Sequence, residues 1–506
     1  MTGDPQMTSW SDDLAADVVV VGGGNAAMCA ALAARERGAK VLVLERAPEH
    51  ERGGDTGFTA GAMRVVYESV DQLRELVRDL SDTELATTDF GVYSASAFYD
   101  DMARVTKYRA DPDLVAVLVE QSHATLRWMA DLGIRFVPAY GRQAFKVGDI
   151  MRFWGGLTID ASGGGPGLVE AEHTLAAKAG VEIRYGSPAL HLLADGDGVH
   201  GVSAMIDGRI VDVPAGAVVL ACGGFQANVE WRTRYLGPGW DLARVRGTRF
   251  NTGEGHRMAF EVGASPAGHW SGCHAVGWDR NAPEFGDLAV GDGFQKHSYP
   301  LGIMVNAEGR RFVDEGEDFR NYTYAKYGSR ILAQPDQFAW QVFDAKVLHL
   351  LRDEYRIRQV TKVQADTLEE LAVKLEGVDG EAFLAHIAEY NEAVMTEVPF
   401  DPSVKDGRGT RGLAVRKSNW ANRLDEPPFV AFQVTCGITF TFGGLRITPD
   451  KAEVVSNEGV PVRGLYAAGE IVGGLFFHNY PGGTGLTAGS VFGRIAGEAA
   501  AEHSGR

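Results

Sequence analysis

Residues 464–494, GLYAAGEIVGGLFFHNYPGGTGLTAGSVFGR, set chemistry-bearing side chains inside a run of glycines. A strand-like LYAAGE leads into a glycine-dense loop, and the loop opens an Ala/Gly-rich helical stretch. Glycine lets a main chain press against a flat polar ring, and a helix N-terminus turns free N–H groups toward electron-rich oxygens. Gly469, Glu470, Gly483, Thr484, Gly485 and Leu486 are therefore expected to hold a redox-active ring. His478 and Tyr480 would stand where a substrate meets that ring. A tyrosine there donates a hydrogen bond to a carboxylate or enolate oxygen, and a histidine either hydrogen-bonds or exchanges a proton. A structural turn ahead of a C-terminal helix would use the same glycines, so the opposite end of the chain has to decide.

That end supplies a β-α-β unit. Residues 17–21 (DVVVV) form a short apolar run of the kind buried in parallel sheets. GGGNAA follows, then an alanine-rich helical stretch to Arg37 closed by Gly38, and a second strand at 40–44 ending in Glu45. In this G-x-G-x-x-A fingerprint Gly22 makes the tight turn, Gly24 admits a pyrophosphate and Ala27 lets helix pack on strand, with Asn25 and Ala26 between them. Glu45, about twenty residues on and followed by Arg46, is placed to grip a ribose hydroxyl. Further glycine loops lie at 52–62 (RGGDTGFTAGA, with Gly54, Asp55, Thr56, Thr59, Ala60 and Gly61), at 217–225 (AVVLACGGF, with Ala221 and Gly223) and at 251–256 (NTGEGH, with Gly253 and Glu254). Loops spread over the whole chain suit an extended cofactor gripped at many points. They favour FAD over a nicotinamide confined to one half-domain.

Composition narrows the rest. A chain of 506 residues, 45% apolar and 23% charged, can bury two or three cores. Its net charge of −18, from 49 basic and 67 acidic residues, argues against nucleic acid or an anionic membrane surface as partner. It leaves room for a small anionic substrate, which needs only a few local arginines. Cys29, Cys222, Cys273 and Cys436 are too scattered for iron–sulfur, c-type haem, zinc or disulfide patterns, and no metal site is expected. The N-terminus shows no secretory signal and no apolar run spans a membrane, which points to the cytoplasm. Residues 273–434 are richer in aromatic and charged residues and hold an amphipathic stretch at 367–394. They read as a capping or substrate domain inserted between FAD-binding parts at 1–272 and 435–506, within an α/β chain whose cap is α+β.

The motifs VVVVGGGNAA, GGDTGFTAGA, VVLACGGF, NTGEG, MVNAEGRRFVDE and GLYAAGE…PGGTG together resemble the fumarate reductase/succinate dehydrogenase flavoprotein superfamily, from about residue 17 to residue 501. Within it the chain is most similar to the tricarballylate dehydrogenase group, chiefly through 281–328. The resemblance implies a Rossmann-like FAD-binding domain and a mobile cap closing over the flavin. It also implies desaturation of a CH–CH bond by hydride transfer to flavin N5 and proton abstraction. Electrons would pass to a separate, membrane-linked redox partner.

Departures from the family pattern carry as much information. Phe58 stands where covalent members have their flavin-linking histidine, so FAD is expected to be non-covalent. Phe440, beside Thr439, replaces a carboxylate-binding histidine, and Tyr480 replaces a carboxylate-binding arginine. Gln295 and Ser298 replace the glutamate and arginine of a proton relay, with Lys296 and His297 between them. The HNYPGGTG loop resembles instead that of 3-ketosteroid dehydrogenases, whose tyrosine bonds a substrate carbonyl, so a ketone substrate stays open. Arg320, one residue further from Glu315 than in the family, is expected to be clamp and proton-transfer group, with Tyr322 and Tyr324 as competitors. His297 is a further proton-transfer candidate, and Lys296, Thr439 and His478 are candidate substrate contacts. Glu315 would orient Arg320.

Overall fold

The computed structural model describes residues 9–10, 14–154 and 156–505. The N-terminal stretch in which no targeting segment is expected lies mostly outside them. The α/β class and the Rossmann-like core hold. Strand Ala16–Val21 is flanked in parallel by Val41–Leu44 on one side and by the end of Arg209–Leu220 on the other. Glu182–Arg184 and Pro461–Ala467 extend the parallel sheet outward. Val18, Val19 and Val20 are fully buried, as an apolar run covered on both faces must be. The first half of Arg209–Leu220 turns into an antiparallel extension with Gly198–Ile206 and Ala189–Asp195.

Two helices from opposite ends of the chain cross over this sheet. Asn25–Glu36 packs on Thr484–His503 so closely that a β-carbon on Gly497 would lie 2.1 Å from the Ala30 carbonyl oxygen. A glycine costs about 1 kcal/mol of helix propensity. Here it lets two backbones meet, and that contact fixes the C-terminal loop beside the dinucleotide fingerprint. Helix Pro112–Leu132, capped by Asp111, flanks the C-terminal helix through Trp128, whose ring lies 5.1 Å from the Arg494 guanidinium.

The second body is built on one 17-residue strand, Phe429–Leu445. Pro266–Asp279, Ala339–Phe343 and Lys362–Ala365 pair with it antiparallel, Arg244–Val245 pairs in parallel, and Ile303–Val305 pairs with Ala339–Phe343. Helices Leu368–Lys374 and Gly380–Ala393, capped by Thr367 and Asp379, occupy the expected amphipathic stretch and pack Leu371, Phe383, Ile387 and Tyr390 against Trp340 and Val342. The expected cuts at 272/273 and 434/435 fall inside Pro266–Asp279 and Phe429–Leu445, which are paired with each other. The two bodies are therefore joined through continuous strands rather than through loops. Among the described residues no helix is long and apolar enough to cross a membrane.

Candidate active site

One cleft of about 410 Å³ runs between the bodies, lined from Glu45 and Arg46 past the glycine fingerprint to Thr439 and Tyr480. Gly22 has φ +116°, and a β-carbon there would lie 2.3 Å from the Ala221 carbonyl oxygen, so the turn admits only glycine. The N-termini of Asn25–Glu36 and Thr484–His503 both open onto the cleft, and Asn25 ties them together. Its backbone N–H donates to Thr56 Oγ1 at 3.1 Å and its side-chain amide donates to the Leu486 carbonyl at 2.9 Å. Glu45 accepts from the Ala47 N–H at 2.6 Å, and burial lifts its carboxyl to about 6 against these amide contacts. Farther along, Gln226 Nε2 donates to Asp55 (2.6 Å) and to Glu470 (3.2 Å). Burial pushes both carboxyls up, Asp55 to about 7, and each opposes the other's ionisation, so the pair holds a proton.

At the other end the cleft is lined by side chains rather than backbone. Asp292 Oδ1 accepts from Arg246 Nη2 (2.6 Å) and Nε (3.1 Å), while Oδ2 accepts from Arg142 Nη1 (3.0 Å) and Gln295. Arg246 Nη1 reaches Thr439 Oγ1 at 3.2 Å. Burial opposes the charge of both arginines, but Asp292 outweighs it and keeps them protonated. Two cations thus share one carboxylate. Arg320 Nη2 donates to the Arg142 carbonyl at 2.8 Å, and among the described residues no carboxylate lies at ion-pair distance from Arg320. The Tyr324 and Tyr480 hydroxyls are 2.5 Å apart, and burial holds both phenols protonated. His274 lies against both rings at 5.0 and 4.8 Å, with neither ring nitrogen partnered. Burial, reinforced by Arg246 at His274 and by Arg320 at His297, keeps both imidazoles neutral. At neutral pH this end therefore offers fixed guanidinium charges, phenolic donors and the neutral imidazole of His297, with His274 packed behind the two tyrosine rings. Such a set holds carboxylate or enolate oxygens and can move a proton.

The family described as "FAD binding domain" matches residues 17–486. The chain belongs to that family. It is 30% identical to a fumarate reductase (cytochrome) of Shewanella frigidimarina, covering 96% of this chain and 77% of that one. It is 29% identical to an NADH:fumarate oxidoreductase of Klebsiella pneumoniae over 96% of this chain, yet spans only 48% of that longer protein. The solved 3-ketosteroid Δ4-(5α)-dehydrogenase of Rhodococcus jostii RHA1, in complex with 4-androstene-3,17-dione, superposes with a TM-score of 0.70 at 25% identity, covering 98% of both chains. This flavoprotein is an FAD-dependent oxidoreductase. When bound, FAD supplies the hydride-accepting ring. The glycine cradle at Gly22 and Gly24, the two helix N-termini and the Glu45 carboxylate fit its diphosphate and ribose.

Most of the expected cofactor contacts line the cleft: Gly22, Gly24, Asn25, Ala26, Glu45, Arg46, Gly54, Asp55, Thr56, Thr59, Ala60, Ala221, Gly223, Glu254, Gly469, Glu470, Gly483, Gly485 and Leu486. Ala27, Gly61, Gly253 and Thr484 do not. They shape the backbone behind it, Gly61 and Gly253 through left-handed φ of +75° and +90°. Phe58 also lies outside the lining and packs toward Gly286.

Of the substrate-end candidates, Arg320, Tyr480, His297 and Thr439 line the cleft together, while Tyr322, Lys296 and His478 do not. Residues 295–297 are extended at Gln295, so alternate side chains face opposite ways. Gln295 and His297 point into the cleft, and Lys296 points into the protein. The Lys296 ammonium donates to the carbonyls of Gly293, Phe294 and Gln295, 3.6 Å from the Asp279 carboxylate, and burial lowers it to about 8. Tyr322 sits in the single turn Arg320–Tyr322, whose geometry sends its hydroxyl to Asp101 at 2.6 Å beside Arg64, and Tyr324 takes the cleft position. His478, with φ +61°, is exposed on the outer side of the loop and its N–H donates to His269 Nδ1. Glu315 pairs with Arg311 at 2.6 Å rather than with Arg320.

Arg246, Asp292, Arg142 and His274 are absent from the sequence-based set. Arg246 lies just ahead of NTGEGH and Asp292 just ahead of the QKHS segment, so proximity to quoted motifs was the available signal. Arg64 is likewise unforeseen. Fully buried, it donates to the Gly482 carbonyl at 2.9 Å and the Tyr93 hydroxyl at 2.9 Å, pinning the loop that carries Tyr480.

Proposed function

We propose that this flavoprotein desaturates a CH–CH bond of a small polycarboxylate, with tricarballylate to cis-aconitate as its reaction. The observation that carries the reading is the convergence of Arg246 and Arg320 on one end of the cleft, where Arg142 and Arg246 share the single carboxylate of Asp292. A cleft end where three lining guanidiniums, Arg142, Arg246 and Arg320, meet one lining carboxylate, Asp292, selects an anion. Arg246 and Arg320 clamp carboxylates, the Tyr480 hydroxyl donates to the developing enolate oxygen, and the proton leaves the α-carbon toward neutral His297. An arginine remains protonated under all ordinary conditions, which suits Arg320 to a clamp or acid and His297 to the base. The relatives' names, fumarate reductases among them, support chemistry at a carbon–carbon bond flanked by carboxylates. Electrons pass on to a separate redox protein linked to the membrane, and the chain itself works in the cytoplasm.

A second reading rests on a specific feature. The Tyr324–Tyr480 hydroxyl pair is boxed by Phe440 and Phe476, whose rings lie 5.1 and 5.3 Å from Tyr480. An apolar box around a phenolic donor suits a ketone, the class of the 4-androstene-3,17-dione bound to the steroid dehydrogenase of similar fold. Anaerobic mixing of the holoenzyme with tricarballylate, succinate and a 3-ketosteroid separates the two. The polycarboxylate reading expects tricarballylate to bleach the flavin fastest. Bleaching by the steroid alone would replace it with the ketone reading.

A further inference from the structure

Behind the wall formed by His297 and Arg320 lies a second, smaller cavity of about 40 Å³. Its polar lining is made almost entirely of donors. Arg320 Nε, His297 Nε2 and Trp154 Nε1 are each buried without a partner. Arg352 completes the set. Its guanidinium lies over the Phe145 ring at 4.9 Å and bonds the Gly141 carbonyl, with no carboxylate at ion-pair distance among the described residues. Ser298 offers the one side-chain oxygen, and it already accepts from the Arg352 N–H at 3.1 Å. The carboxylate of Glu354 is near but does not line the cavity.

A buried N–H left unpaired costs about 1–3 kcal/mol. Two such N–H groups, on Arg320 and Trp154, around one small space, with the Arg320 and Arg352 guanidiniums making no ion pair among the described residues, call for an acceptor-only ligand with negative charge. Burial, then the like charge of Arg320, pushes the Arg352 guanidinium down to about 9, a strain that an anion would relieve. The volume is about three times the ~10–15 Å³ that holds one water, which matches a three-heavy-atom carboxylate. The stacked Trp154 and Phe319 rings, 4.7 Å apart, close one side and suit a planar group.

We infer that this cavity binds a carboxylate. One source is the third carboxylate arm of the substrate, which rests on the polycarboxylate reading above. The other is a free small carboxylate bound beside Arg320. The holoenzyme is titrated with formate by calorimetry, in wild type and in Trp154→Phe and Arg352→Gln variants checked for flavin content and melting temperature. Each substitution is expected to weaken formate binding about tenfold or more, the effect of losing one charge-assisted hydrogen bond. Formate that competes with tricarballylate but not with succinate assigns the cavity to the substrate's third carboxylate. Formate that competes with neither assigns it to a free anion. No formate binding in wild type, or binding that both substitutions leave unchanged, overturns the inference. Should tricarballylate fail to bleach the flavin while the substitutions still weaken formate, the polycarboxylate reading falls and the anion cavity stands.

Discussion

The two ends of the cleft are made of different material. At the cofactor end, function lies in the backbone: the Gly22 turn, the helix N-termini at Asn25 and Thr484, and a few short side chains fixed by local motifs. At the substrate end it lies in long side chains that five separate segments deliver to one place, Arg142, Arg246, Asp292, Arg320 with Tyr324, and Tyr480. A backbone site leaves a contiguous trace in sequence, whereas a side-chain site exists only once the chain has folded. The cofactor end is thus fixed and general, and the substrate end is where one flavin scaffold becomes a particular enzyme.

That contrast breaks most sharply at Gly22. Gly22→Val would drive a β-carbon into the Ala221 carbonyl from a left-handed backbone. The purified protein is expected to carry no flavin, read from its visible absorbance, and normal flavin content would refute the backbone account. At the other end, Arg246→Met should leave flavin content intact but slow flavin reduction by about 10²–10³-fold, the scale of losing a transition-state charge contact. It should also destabilise the fold by about 3 kcal/mol, because Asp292 loses a buried partner. If flavin were lost as well, the two ends would be less separable than the geometry indicates.

A finer contrast lies two residues apart. Tyr324→Phe is expected to slow flavin reduction by about tenfold through loss of the Tyr480 contact, since a net hydrogen bond is worth about 1 kcal/mol and more in a dry site. Tyr322→Phe should lower the melting temperature through Asp101 and leave that rate unchanged. Equal effects on rate would place both tyrosines in the chemistry. The last contrast concerns pH. Asp55 has a folded-state value raised to about 7 by burial, so its contribution to stability is full below its ordinary value near 4 and is lost as pH rises through 7. Thermal melts of the apo-protein should fall across that window, and Asp55→Asn should flatten the fall.

Legibility in the sequence follows the same division. The β-α-β unit and the FAD cofactor were readable, and most of the residues expected to hold it line the cleft, because DVVVVGGGNAA and PGGTG encode geometry within a few residues of themselves. The expected domain cuts at 272/273 and 434/435 fall inside Pro266–Asp279 and Phe429–Leu445, two strands paired with each other. Lys296 and His297 looked alike as neighbours, yet alternation sends one into the protein and the other into the cleft. Tyr322 and Tyr324 likewise could not be ranked without the single turn that separates them. Arg246 and Asp292 were unreadable for a deeper reason. Each looks like an ordinary loop charge until the fold brings them within 2.6 Å.

Central to the proposed function is that the arginine end of the cleft accepts a polycarboxylate and that a carbon–carbon bond is oxidised there. Holoenzyme incubated with tricarballylate and an artificial electron-accepting dye, with products read by proton NMR, tests it most directly. With a two-electron dye, cis-aconitate is expected to accumulate in step with reduced dye, one equivalent of each, and Arg246→Met to lower the rate strongly. Flavin-loaded enzyme that reduces no dye with tricarballylate or any other polycarboxylate, while turning over a cyclic ketone at a rate indifferent to Arg246, would contradict it.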